Sequence, residues 1–396
     1  MKRVVGWALA LTLTVIGVSA CVASDPAASP GLGNGWVPSH SLDLEYATQF
    51  EIDFYADDND PCTGTTESEA CWLDQYALIT IADGSRFLVV PEGLEVPRGI
   101  HSDIVVLKRP LTNLYVAATA TMSQFVALDS LTAIRFSSLS ADGWHIAEAK
   151  AAMESGQILY GGKYSAPDYE LILTSAPSLA IENNMIYHCP EVKDTLETLS
   201  IPVLVDQSSY ESHPLGRTEW IKLYGVLVGK IEQSVQLFST QAAHLEALAG
   251  QENTGTTIAF FYISSAGYVV ARKSGDYIPK MIQLAGGEYV FKDLGDETST
   301  STTNLEMEQF YATAKDADYI IYNSTIGGEL ASISELVGLN SLLKDFKAVQ
   351  DSNVWCTSQD FYQDMTGLGQ MITDMHRILM DPDSDNLTYL RKLDGQ

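Results

Sequence analysis

The chain has 396 residues, 46% of them hydrophobic, and sets 51 acidic side chains against 23 basic ones for a formal charge of −28. That length gives room for two lobes of ordinary domain size, each with its own core, and the hydrophobic fraction excludes a disordered chain. The acidity repels phosphates, which excludes nucleic acid as a partner, and it suits an extracytoplasmic surface that steers basic partners.

Residues 1–20 read as a signal peptide: Lys2 and Arg3 start it, residues 4–18 are apolar, and Val18-Ser19-Ala20 stand before Cys21. Small residues directly before a cysteine resemble the lipobox of bacterial lipoproteins, which would make Cys21 the lipidated first residue of the mature chain. The expected place is therefore extracytoplasmic, with the lipid anchored in the cell membrane at a cell surface or periplasmic face. Residues 21–41, rich in Ala, Ser, Pro and Gly, read as the tether.

Residues 42–111 read as a β-rich extension packed on the first lobe. Two apolar runs, 76–81 and 86–90, flank Ala82-Asp83-Gly84-Ser85, a hairpin signal. Cys62 and Cys71 bracket a polar loop, and in an exported protein a disulfide between them is favoured over two free thiols. Cys189 and Cys356 read as buried small hydrophobes.

From residue 112 the texture changes to apolar runs of four or five residues separated by helical patterns, which predicts parallel strands with crossover helices. Candidate strands cover 114–118, 133–136, 178–181 and 202–205 in one lobe, then 257–263, 318–322 and 348–349 in another. Between the lobes, Trp220, Tyr224, Leu227, Ile231, Val235, Phe238, Ala242, Leu245 and Leu248 recur at three- and four-residue steps. A single helix over 218–249 would run on the order of 45 Å. The predicted fold is α/β: two doubly wound lobes, 112–213 and 251–396, joined by a single long linker helix within 214–250, with the β-rich N-terminal extension before them.

Three motifs carry a family resemblance across most of residues 112–378. They are Gly229-Lys230 in the linker; Leu284-Ala285-Gly286-Gly287-Glu288-Tyr289-Val290-Phe291-Lys292-Asp293 after a helix; and Glu170 followed seven residues later by Pro177. With them the chain resembles the iron-siderophore and cobalamin class of solute-binding proteins of ABC importers, whose lobes are joined by one helix. The resemblance implies a monomeric, non-enzymatic protein that takes a ferric siderophore, or a haem or corrinoid, between its lobes and delivers it to permease and ATPase subunits. It also implies that Glu170 docks on permease arginines, with Glu308 or Glu306 as the second lobe's counterpart.

Ligands of doubly wound lobes collect at the carboxyl ends of strands. The loops expected there nominate Thr121, Ser123 and Trp144 in the first lobe, and Arg272, Lys273, Trp355 and Tyr362 in the second. Aromatics in polar loops suit stacking on a large organic ligand. The basic pair Arg272-Lys273, in so acidic a chain, favours an anionic ferric siderophore.

No resident cofactor or metal site is expected. The seven histidines are scattered, and only His145, beside Trp144, stands near a candidate wall. Asp381, Asp383 and Asp385 imitate the start of an EF-hand loop, but Asn386 and Lys392 replace its Gly and Glu. No Walker A, Gly-x-Ser-x-Gly or His-Glu-x-x-His motif occurs. A surface ligand sensor or a metal-ion-binding protein on the same scaffold is the alternative.

Overall fold

The computed structural model describes residues 31–33, 36–56, 75–251, 253–296 and 299–395. The expected signal peptide, the lipidation site Cys21 and the Cys62–Cys71 disulfide lie outside the described residues. Among the described residues no helix is long and apolar enough to cross a membrane.

The extension is a five-stranded sheet of β1 (His40–Ser41), β2 (Phe50–Tyr55), β3 (Tyr76–Ile81), β4 (Arg86–Val90) and β5 (Ile104–Lys108), in that spatial order. Period-two alternation gives it two apolar faces. Phe50, Ile52, Phe54, Ile79, Phe87 and Val89 join the first lobe's core, while Tyr55, Tyr76, Leu78, Leu88 and Val90 cover a smaller cluster with Leu32. The sheet is also fastened by two buried glutamates. Glu219 accepts the backbone N–H groups of Glu45, Tyr46 and Ala47 at 2.8–3.1 Å and pairs with Lys222. Glu211 accepts from Thr48 and Gln49 N–H and from Trp220 Nε1.

The first lobe's sheet contains β6 (Leu114–Val116), β7 (Ile134–Ser137), β8 (Leu159–Tyr160), β11 (Ala180–Asn183) and β12 (Val203–Asp206), all parallel, in the order β12-β11-β6-β7-β8. A two-stranded hairpin, β9 (Gly162–Lys163) and β10 (Ala166–Pro167), interrupts it. Four helices, α1 (Thr121–Ala127), α2 (Ala147–Glu154), α3 (Tyr169–Leu173) and α4 (Pro190–Thr198), lie between the strands in the chain.

The second sheet has seven strands: β13 (Thr257–Ile263), β14 (Val269–Arg272), β15 (Glu288–Tyr289), β16 (Thr302–Leu305), β17 (Tyr319–Tyr322), β18 (Val354–Thr357) and β19 (Leu390–Lys392). Its helices are α7 (Tyr277–Leu284), α8 (Met307–Ala314), α9 (Ser324–Gly327), α10 (Ile333–Leu339), α11 (Lys347–Gln350) and α12 (Leu368–Met380). Residues 348–349, expected as a strand, belong to α11. The strand is β18 instead, whose four residues are all buried.

The single long linker helix is not observed. The chain forms α5 (Pro214–Val228) and α6 (Ile231–Glu246), which break at Gly229 and pack on one another. Gly229 takes φ +72°, a left-handed conformation that favours glycine, and Lys230 N–H returns to Gly225 O at 2.7 Å. Lys230 then donates to Leu128 O and Asp129 O beyond α1. The apolar periodicity runs straight through this break because both helices bury their apolar faces in the same core: Trp220, Tyr224, Leu227, Ile231, Phe238 and Ala242 share one cluster. The passage to the second lobe is α6 alone, about 24 Å long. It packs on α12 so closely that a β-carbon at Gly369 would stand 3.0 Å from the Gln241 carbonyl carbon.

Candidate ligand-binding cleft

In the first sheet the chain runs from β6 outward to β8, then returns to the other side of β6 with β11 and β12. The order therefore reverses between β6 and β11, and the loops leaving the two strands there part and open a crevice. Residues 117–120 after β6, Asn183 at the end of β11 with Asn184 and Met185 after it, and Asp206 at the end of β12 with Ser208 after it line a cavity of about 570 Å³. Tyr160, Lys163 and Tyr164 form a further wall, and Tyr362 reaches in from the second lobe.

Tyr362 stands on a segment that crosses between the lobes. Gln363 accepts from His145 N–H and donates to Gly143 O, both at 2.8 Å. Met365 N–H donates to Ser123 Oγ at 3.0 Å, and Thr218 Oγ1 donates to Met365 O at 2.9 Å. Nearby, the Arg217 guanidinium of α5 lies 3.8 Å from the centre of the Tyr277 ring of α7. A second cavity, about 680 Å³, is lined by His145, Trp355, Ser358, Asp360 and residues 384–392.

Placement of the expected ligand residues is mixed. Tyr362 lines the crevice, and its hydroxyl accepts from Arg272 Nε at 3.2 Å and Asn323 Nδ2 at 3.1 Å, which leaves its own proton to donate. Arg272 sits behind it, 3.3 Å from the buried Asp276, which also caps α7 by accepting from Ile278 N–H. Lys273 lines neither cavity. Ser123 is engaged in the lobe-to-lobe bond just described.

Thr121 and Trp144 belong to the interior instead, and Trp355, though nearly all buried, edges the second cavity rather than the crevice. Thr121 is fully buried and bonds Asp206 and the Tyr224 hydroxyl. Trp144 is 2% exposed; its Nε1 donates to Ser137 Oγ at 3.1 Å, because Asp142-Gly143 make a tight turn that drives the ring inward. Trp355 is 1% exposed on β18, and its polar neighbours are the end of a buried strand rather than a loop.

Sequence reasoning missed Tyr160, Lys163, Tyr164, Asn184 and Met185. The available signal was Tyr160-Gly161-Gly162-Lys163-Tyr164. Gly162 has φ +87°, and a β-carbon there would fall 2.6 Å from Asp168 N, so only glycine makes this turn and sets the aromatics at the rim.

The electrostatics of the crevice are muted. Asp206 is occupied by Ser208 N–H at 2.8 Å, by Thr121, and by a short bond from the Tyr224 hydroxyl, whose acidity burial and this carboxylate suppress. Lys163 is exposed and forms no ion pair among the described residues. Glu182 on β11, next to Asn183, is fully buried with neither oxygen bonded, and burial pushes its carboxyl up to about 8. No group of three or more metal-ligating side chains occurs among the described residues.

No family model matches the chain. An uncharacterised lipoprotein of Methanocaldococcus jannaschii is 25% identical over 359 residues, spanning 85% of this chain and 80% of the relative. The periplasmic haem-binding protein HutB of Vibrio cholerae superposes with a TM-score of 0.55 at 14% identity, over 69% of this chain and 99% of HutB. The molybdate-bound periplasmic binding protein MolA of Haemophilus influenzae gives 0.55 at 15% identity, over 69% of this chain and 87% of MolA.

The fold is that of a periplasmic solute-binding protein.

Within this solute-binding fold Glu170 and Glu308 occupy matching places. Each is exposed and second in its helix, α3 or α8, and each helix is the one preceding a central parallel strand, β11 or β17. Glu306 is the residue before α8 and makes no side-chain cap.

Proposed function

We propose that this chain is the solute-binding subunit of an ABC importer, held outside the cytoplasm by lipid on Cys21, and that it carries one bulky metal complex in the crevice without chemically altering it. The observation that supports this best is the 570 Å³ cavity at the order reversal of the first sheet, closed from the second lobe by Tyr362. Its volume falls within the ordinary range for small-molecule sites. Lobe-to-lobe bonds through Gln363 and Met365, and the close α6–α12 contact, limit opening to a small hinge or twist.

The wall chemistry refines the cargo. Arg272 is spent on Asp276 and Tyr362, and Lys273 stands elsewhere, so the basic pair no longer argues for a polyanionic siderophore. A wall of Tyr160, Tyr164, Met185 and Tyr362 with one available cation, Lys163, favours a complex with a broad apolar face and few negative charges. Haem, a corrinoid or a weakly charged ferric hydroxamate has that character. Glu170 and Glu308 then dock the loaded protein on the permease from both lobes.

Titration with haemin, cyanocobalamin, a ferric hydroxamate and a ferric catecholate tests this. One of the first three is expected to bind at 1:1, and Tyr362→Ala is expected to weaken it about tenfold or more. Binding of none of the four, or binding unaffected by Tyr362→Ala, rejects the assignment.

A further inference from the structure

The extension reaches the rim of the crevice at one hydroxyl. Tyr187 belongs to the 3-10 turn Asn184–His188, whose Asn184 and Met185 line the crevice. Its hydroxyl donates to Asp83 Oδ2 at 2.9 Å, and Asp83 sits in the β3–β4 turn of the extension. The same hydroxyl accepts from Gln207 Nε2 at 2.9 Å. Gln207 is buried and precedes the 3-10 turn Ser208–Tyr210, of which Ser208 and Ser209 also line the crevice. One phenol therefore joins three elements: two ligand-facing loops from neighbouring strands and the tip of a sheet outside the lobes.

The tip is well prepared for this contact. Gly84, at φ +88°, makes the turn; Gly84 N–H donates to Ile81 O, and Ser85 N–H donates to Asp83 Oδ1 at 2.9 Å, leaving Oδ2 for Tyr187. The same end of the sheet is fastened to the lobe: Glu211 and Glu219 hold residues 45–49, and Ala82 N–H donates to Gln49 O at 2.9 Å. Burial, with the Asp83 hydrogen bond next, holds the Tyr187 phenol above its ordinary pKa and keeps it a donor. Its ring stays 42% exposed, so the hydroxyl's bonds, more than core packing, define its place.

The geometry points to Asp83 and Tyr187 as positioning residues of the binding site, through which the N-terminal sheet fixes the shape of the crevice rim and hence its selectivity. This rests on the solute-binding reading above, though neither residue touches the cavity. HutB is covered almost whole by 69% of this chain, so about a third of the chain has no counterpart there. A sheet packed outside the lobes that pins the rim is a way for one common fold to hold a rim shape of its own.

The test uses the full chain with Tyr187→Phe, Asp83→Ala and Asp83→Asn, the last keeping the side-chain shape but offering one acceptor oxygen to two donors, Ser85 N–H and the Tyr187 hydroxyl. Amide hydrogen exchange of residues 184–188 and 207–210, haemin, cyanocobalamin and ferric-hydroxamate titrations, and thermal midpoints are compared with wild type. Tyr187→Phe and Asp83→Ala are expected to speed exchange in both segments and to weaken binding about five- to tenfold, with little movement of the midpoint. Asp83→Asn, with one oxygen for the two donors, is expected to fall between wild type and Asp83→Ala. Unchanged exchange in both segments overturns the inference, and so does faster exchange with unchanged affinity. A wild-type protein that binds none of the three probes counts against the cargo assignment, while the exchange comparison still decides whether the sheet pins the rim.

Discussion

Replacing Glu219 by glutamine keeps its shape and removes its charge. Oε1 accepts Glu45 N–H at 2.9 Å and Lys222 Nζ at 2.6 Å; Oε2 accepts Tyr46 and Ala47 N–H, both at 2.8 Å. The glutamine has one oxygen for these two sets of donors, so its amino group must face either an ammonium or two backbone N–H groups. Breaking a buried ion pair from one side costs about 3–5 kcal/mol. Lys222 retains Asp43 O at 2.9 Å and the Phe238 ring at 4.3 Å, which places the expected loss near the lower end, about 3 kcal/mol. Urea unfolding followed by tryptophan fluorescence measures it, and exchange at amides 45–47 reports the site directly. Adding Lys222→Met should recover part of the loss, since no buried charge is then left alone. A loss below about 1 kcal/mol with amides 45–47 still protected would refute the fastening role.

Trp144→Ala is expected to destabilise the chain by about 3–5 kcal/mol, as for a core aromatic, and unfolding curves decide between this and a ligand-wall role that would leave stability intact. Glu182 has its carboxyl raised from 4.5 to about 8, so its contribution is complete below pH 4.5 and is lost as pH rises through 8. Glu182→Met should therefore remove a decline in stability between pH 5 and 8 and gain up to about 3 kcal/mol at pH 7; a variant with an unchanged pH profile contradicts this. Charge reversal at Glu170 and Glu308 together should abolish uptake with solute affinity intact, and undiminished transport would remove both from the docking surface.

Much of the architecture was legible because it rests on local patterns. The Asp83-Gly84 hairpin, the buried runs 258–261 within β13 and 319–322 of β17, and the alternating apolar runs of the first lobe each follow from a period or a turn residue. The linker was misjudged for a physical reason: periodicity reports which side of a helix is apolar, not whether successive helices face the same core. Gly229 carried the only local sign of the break, and glycine within a helical pattern is compatible with continuity. The site was less legible. Trp144 has polar neighbours in sequence but packs in the first lobe's core, Trp355 is a buried strand residue that edges the second cavity, and Arg272 finds a partner four residues away in Asp276. The tyrosines of the rim acquire meaning only when the fold sets Tyr160 at the end of β8 and Tyr164 in the β9–β10 turn around one cavity with Met185, from the turn after β11.

The central claim, that this chain carries a bulky metal complex between its lobes, is tested most directly by native mass spectrometry of the protein purified from its own host. A mass excess of one metal complex per chain, retained by wild type and lost in Tyr362→Ala, is the predicted result. A chain recovered at its bare lipidated mass that still gains nothing when offered haemin, cyanocobalamin or ferric hydroxamate contradicts the account.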